Sequence, residues 1–215
     1  MKKILSIVLA CVLMASTAVF AQENADYVAE LGKYGVIKGD PDGNMRLSDN
    51  LSRGEAVTLL VRLCGFVPET SIAATANEFS DMENHWACNA AMIAKNLKII
   101  EANKGDAFNP DEGIKSEDFI KMIICLLGYK ELAEQRGGNP VGYLISASQI
   151  GVTKGVSVAT GQSITRDEAI KLLCNSLDTP VMEQTSYGEN SVAYTILNGQ
   201  NGKEFRSIRT TLEQR

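Results

Sequence analysis

The heptapeptide LSRGEAV, Leu51 to Val57, returns as ITRDEAI, Ile164 to Ile170, and the register it sets organises most of the 215 residues. Counted from Arg53, apolar residues follow at +3, +4, +7, +8 and +11: Ala56, Val57, Leu60, Val61 and Cys64. Counted from Arg166 they are Ala169, Ile170, Leu173, Cys174 and Leu177. Both sets mark one face of an α-helix. Phe119, Ile120, Ile123, Ile124 and Leu127 fit the same offsets with Ser116 in the Arg position, so a third copy exists with its Arg replaced. Upstream, three further segments match one another when aligned on Gly39, Ala102 and Gly155, with apolar residues at −12, −11, −8, −5 and −3. Gly35 and Gly151 share an offset at which a helix ends in the left-handed conformation. Each copy therefore reads helix, loop, helix. A unit of this size cannot bury its apolar face alone, so the expected core is six helices packed from three copies.

The repeated heptapeptide also carries chemistry. Ser52 with Glu55, and Thr165 with Glu168, have the spacing of a capping box, and these four read as structural caps. Arg53 and Arg166 then fall on the first helical turn, where a cation opposes the helix dipole. An anionic ligand held by the guanidinium and free backbone N–H groups would resolve that conflict. A surface Arg paired with Asp49 or Asp167 is the plainer alternative.

Composition narrows the class. The opening MKKILSIVLACVLMASTAVFAQ pairs two lysines with an apolar run and ends on Val19 and Ala21, a secretory leader expected to be cut after Ala21. Removing Lys2 and Lys3 with it takes the formal charge from −5 to −7, which disfavours nucleic acid as a partner. No later stretch reaches the ~18 apolar residues of a membrane span. Cys64, Cys88, Cys125 and Cys174 are expected as buried thiols, and no metal site or cofactor is expected, since CxxC and CxxH spacings are absent and His85 is the only histidine. The Asp40 to Leu51 loop begins like a calcium loop but carries Met45 where Gly is needed and Leu51 where Glu is needed. After Thr179-Pro180 the pattern changes: SVAYTIL and KEFRSI flank NGQNG, which reads as a short β-hairpin with an Asn-Gly turn.

With the copies aligned, the chain resembles the S-layer homology (SLH) domain family in a divergent, clostridia-like form. The resemblance is carried by FSDM (Phe79 to Met82) with Trp86-Ala87, GVIKG (Gly35 to Gly39), GVTKG (Gly151 to Gly155), FNP (Phe108 to Pro110), LSRGE and ITRDE. It covers roughly residues 24 to 182. Copies one and three lack a clear FSDM-like segment, and copy two reads IKSED, without the Arg. The resemblance implies an all-α, pseudo-threefold bundle of three SLH repeats, placed at 22–66, 77–130 and 138–182, after a leader at 1–21 and before a C-terminal extension at 183–215. It implies a non-catalytic module anchored in the wall of a Gram-positive bacterium. The partner it implies is an anionic secondary cell wall polysaccharide attached to peptidoglycan, commonly bearing a pyruvate ketal, held in grooves between repeats. Arg53 and Arg166 match as carboxylate ligands, Asp81 for sugar hydroxyls, Trp86 for stacking, and the turns Lys38-Gly39 and Lys154-Gly155 as groove edges. Helix capping by Asp81 and core packing by Trp86 are the competing roles. The groove with Ser116, taken as the middle one, is expected to be weak or silent. An exported wall hydrolase working through paired carboxylates, and a protein that self-assembles into a surface array, are the alternatives.

Overall fold

The computed structural model describes residues 25–70, 77–185, 193–200 and 202–215. The secretory leader lies outside them. Residues 25–33 form α1, followed by α2 (Arg53–Leu63), α3 (Cys88–Asn96), α4 (Ser116–Leu126), α5 (Lys130–Gln135), α6 (Val141–Gln149) and α7 (Arg166–Leu177). Two short strands, β1 (Met182–Gln184) and β2 (Tyr194–Ile196), and a last helix α8 (Ile208–Glu213) complete the order. The chain is all-α with one small antiparallel pair.

The copies meet on an axis that no local pattern announces. The residue two places before each key position is Leu51, Ile114 or Ile164, all three fully buried or nearly so. Leu51 N–H donates to Ile164 O at 2.9 Å, Ile164 N–H to Ile114 O at 3.0 Å, and Ile114 N–H to Leu51 O at 2.9 Å. Three extended residues from three copies thus close a cyclic ring of backbone hydrogen bonds, satisfying buried donors that lie outside any sheet. From this ring α2, α4 and α7 depart, and α4 contacts both of the others.

Packing runs between copies. The second helix of each copy lies against the first helix of the next: α2 on α3 and α4 on α6. The last pair closes the circle, with the Cys174 thiol of α7 3.5 Å from the Tyr27 carbonyl of α1. Consequently no copy owns a core; the buried cluster runs through Leu60, Ala91, Ile123, Tyr143 and Leu173 as one body.

The turns show how each copy meets the same demand with different residues. Gly35 and Gly151 adopt φ of 68° and 84° after α1 and α6. The equivalent position after α3 is Lys98, at φ 58°, a backbone state that costs a non-glycine residue about 1–2 kcal/mol. Gly39 answers a different need, since a Cβ there would lie 2.9 Å from the Gly43 carbonyl.

Two expectations need correction. The six-helix plan omits α5, which fills the link between the second and third copies, and α8. The C-terminal strand pairing also differs: β2 pairs with β1, Glu183 opposite Thr195. KEFRSI forms no strand among the described residues; it makes a bridge of Phe205 to Asn198, with Arg206 N–H on Leu197 O at 3.0 Å and Val181 N–H on Arg206 O at 2.9 Å, before the chain turns into α8. The Ser207–Thr210 capping box starts that helix at the point where the apolar alternation stops. The extension is fastened to the body. The Arg209 guanidinium makes two bonds to Asp178 and others to Glu30 and the Tyr34 hydroxyl, tying α7 and α1 together across the seam where the circle closes.

Candidate functional site

Both capping boxes form: Ser52 and Thr165 accept from the backbone N–H of Glu55 and Glu168, whose carboxylates accept in return. α4 starts at Lys115 without a side-chain cap, as its lost Ser/Thr requires. The awkward arginines, however, are resolved without an anion. Arg53 N–H donates to Glu112 O at 2.9 Å and Gly54 N–H to Pro110 O at 2.8 Å. Arg166 N–H donates to Asp49 O and Asp167 N–H to Leu47 O, both at 2.9 Å. The backbone N–H groups read as free for a ligand are therefore occupied by carbonyls of the next copy's loop. The side chains join in, Arg53 Nε on Phe108 O at 2.9 Å and Arg166 Nε on Met45 O at 3.0 Å. Arg53 also lies 5.1 Å over the Phe108 ring, and Arg166 bonds the Glu55 carboxylate at 2.9 Å. At the third seam one contact keeps this polarity and the other reverses it. Ser116 N–H donates to Gln162 O at 2.9 Å, and the Glu117 carboxylate accepts from Gly161 N–H at 2.9 Å.

This interlocking moves each Arg into the groove on the helix of the following copy. The α2 groove, about 290 Å³, is walled by Glu55, Leu59 and Arg62 of α2, by Lys38 and Gly39 of the same copy, by Trp86 of the second and by Arg166 of the third. Three cations face one carboxylate there. The α4 groove, about 250 Å³, repeats the arrangement position for position: Asp118 stands for Glu55, Cys125 for Arg62, Glu101 for Lys38 and Arg53 for Arg166. Two cations and two carboxylates balance there. By the same succession Ser116 is the residue that meets the third copy, through Gln162, so the position without an Arg lies toward α7 and not in the middle groove. There Asn175, at the Arg62 position, donates to Val152 O at 2.9 Å and Lys154 O at 2.8 Å, tying the Lys154-Gly155 turn to the helix.

Trp86 is 61% exposed, with its ring 5.4 Å from that of His85. The core role weighed for it is overturned. Asp81 instead takes a structural place, and it caps no helix: its two oxygens accept from Phe108 N–H and Asn109 N–H, each at 2.7 Å. It pins the FNP turn on which Arg53 rests. Partial burial works to raise its pKa, but the Phe108 and Asn109 amides outweigh it, and the carboxyl is held below its ordinary value. A depressed carboxyl stabilises the fold above its unfolded pKa and loses that contribution as pH falls through the folded one. Asp81→Asn is therefore expected to destabilise the chain at neutral pH, and the difference from wild type should shrink below about pH 4, as read by denaturant titration across pH.

Arg62 was not anticipated, although Glu55, Leu59 and Arg62 share a helix face by their spacing. Its guanidinium pairs with Glu69, while its Nε is buried with no partner among the described residues. Lys38 lies 3.4 Å from the same Glu69 carboxylate, which is held at about 2 by its own backbone N–H and by Arg62. The four cysteines among the described residues are free and half-buried, not fully buried as expected, and burial pushes the Cys64 and Cys174 thiols up to about 12. Among the described residues no cluster of three His, Cys, Asp or Glu could hold a metal, and no helix is long and apolar enough to cross a membrane.

Comparison with known proteins gives likenesses in sequence. The sequence matches the S-layer homology domain over residues 21–57 and 78–120. It is 25% identical over 204 residues to the middle cell wall protein of Brevibacillus brevis, covering 87% of this chain and 19% of that protein. The surface layer protein of Brevibacillus choshinensis is 25% identical over 202 residues, 87% of this chain and 18% of its own length. The cell surface protein of Thermoanaerobacter kivui is 24% identical over 161 residues, 74% and 20% respectively. The chain thus spans about a fifth of the length of these relatives. Its likeness to the S-layer homology domain is thus carried by residues 21–57 and 78–120.

Proposed function

We propose that the chain is a non-catalytic anchor that holds an exported protein on a Gram-positive cell wall by binding an anionic secondary wall polysaccharide, with the α2 groove as the principal site. The relatives are wall and surface-layer proteins, which supports the cell surface as the place of action. The observation that carries the chemistry is the convergence of Lys38, Arg62 and Arg166 beside an exposed Trp86, contributed by all three copies. A sugar carboxylate, such as that of a pyruvate ketal, gains charge-assisted hydrogen bonds from such cations. An indole offers its face to the apolar side of a sugar ring. Gly39 allows the turn to approach closely, and Arg53 plays the matching part in the α4 groove, where the balanced charge favours uncharged sugars.

The mature protein is expected to pellet with purified Gram-positive sacculi and to be released once the wall polysaccharide is chemically stripped. Equal pelleting on stripped sacculi would overturn the polysaccharide assignment.

A further inference from the structure

A further concavity lies outside the three grooves. It is a cleft of about 1000 Å³ between the end of α3, the start of α5 and the β1–β2 pair. Its walls carry three lysines, Lys95, Lys98 and Lys130, and three carboxylates, Glu101, Asp106 and Glu131. Two of the lysines are already engaged, Lys95 with Glu78 and Lys130 with Glu101. Asp106 accepts from Asn103 N–H at 2.8 Å. Lys98 makes no ion pair among the described residues. The β pair contributes Gln184 and Tyr194, which face each other in register, and Tyr194 is 36% exposed. Leu97 adds an exposed apolar surface beside Lys98. Ile100, Glu101 and Cys125 line both this cleft and the α4 groove, so the two adjoin.

We propose that this cleft is a second glycan-binding site, which takes a neutral run of several sugars continuing out of the α4 groove. Its charge is balanced, unlike that of the α2 groove, so it offers no net attraction to an anion. It brings donors and acceptors together with a phenol ring and a leucine, which suits a chain of hydroxyl-bearing rings with apolar faces. Lys98 is the sharpest element. Its place in the copy calls for the glycine found at Gly35 and Gly151, and a lysine holds the left-handed backbone there instead. The strained position thereby delivers a side chain that a glycine would not supply, as strained positions at binding sites do. The C-terminal extension becomes a wall of the binding surface as well as a fastening of the fold.

The proposal rests on the polysaccharide reading above, and the test separates the two. Polysaccharide is released by acid from walls on which the protein pellets, depleted of charged material by anion exchange and fractionated by size. In wild type, affinity measured by calorimetry is expected to rise about tenfold from fragments that fill the α4 groove alone to fragments that also span the cleft. Lys98→Gly and Tyr194→Ala should each remove most of that gain and leave the affinity for short fragments unchanged. Lys98→Gly should keep or raise the melting temperature, because glycine relieves the backbone strain. Length dependence that survives in both variants, or is missing in wild type, overturns the cleft and leaves the groove reading standing. A protein that pellets on no wall and binds no fragment overturns both.

Discussion

Leu51→Ala and Ile114→Ala are each expected to lower the stability of the entire chain by about 2–5 kcal/mol, the range for truncating a fully buried aliphatic side chain. Both side chains are essentially inaccessible, and both residues belong to the ring of backbone bonds at the axis. The cavity opens beside three donors that have no other partner, so relaxation around it is limited. The loss is expected to be global because no copy holds its own core: α2 needs α3, α4 needs α6, and α7 needs α1. Denaturant unfolding followed by Trp86 fluorescence and by far-ultraviolet circular dichroism should therefore give one shared midpoint, shifted as a unit by either variant. Two separated transitions would mean that the copies fold independently. An exposed substitution such as Lys154→Ala should stay within about 0.5 kcal/mol of wild type.

The helices were legible because their burial faces repeat at a helical period, and the capping boxes because both partners sit within four residues. The corrections to the arginines, the grooves and the strand pairing each concern a partner far away in sequence. Nothing near Arg53 reveals that Glu112 and Pro110 will supply its carbonyls, so the local reading filled the need with an anion. A carbonyl meets an orphan amide as well as a carboxylate does, and it needs no ligand. The same blindness shifted the grooves: Arg166 opens its own helix in sequence but projects over α2, because each loop crosses to the preceding copy. The position without an Arg therefore falls at the α7 groove and not at the middle one. At the C-terminus the Asn-Gly turn signal was sound, but the register depended on Met182–Gln184, which also reaches Leu127 and Arg206 through its neighbours. Lys98 was hidden for the opposite reason. The sequence lacks glycine there, yet the backbone takes the glycine conformation.

The interlocking also separates two roles that the repeated arginines combine. Arg166 staples the Met45 carbonyl and pairs with Glu55, so Arg166→Ala is expected to weaken binding and stability together and cannot by itself identify a ligand contact. Trp86 and Lys38 can, because their side chains are largely exposed, 61% for the Trp86 residue and 58% for the Lys38 side chain. Trp86→Ala with Lys38→Ala is expected to reduce affinity for the acidic wall polysaccharide by about 10- to 100-fold, the loss of an aromatic anchor together with a charge-assisted bond. Its unfolding midpoint should stay close to wild type. Glu69 supplies the opposite sign. Its carboxylate already bridges Lys38 and Arg62 and must compete with an incoming anion. Glu69→Gln is therefore expected to tighten binding of the acidic fraction and leave a neutral fraction unaffected. Equal affinity of all three proteins for acidic fragments, measured by calorimetry at one ionic strength, would remove the α2 groove from the binding surface.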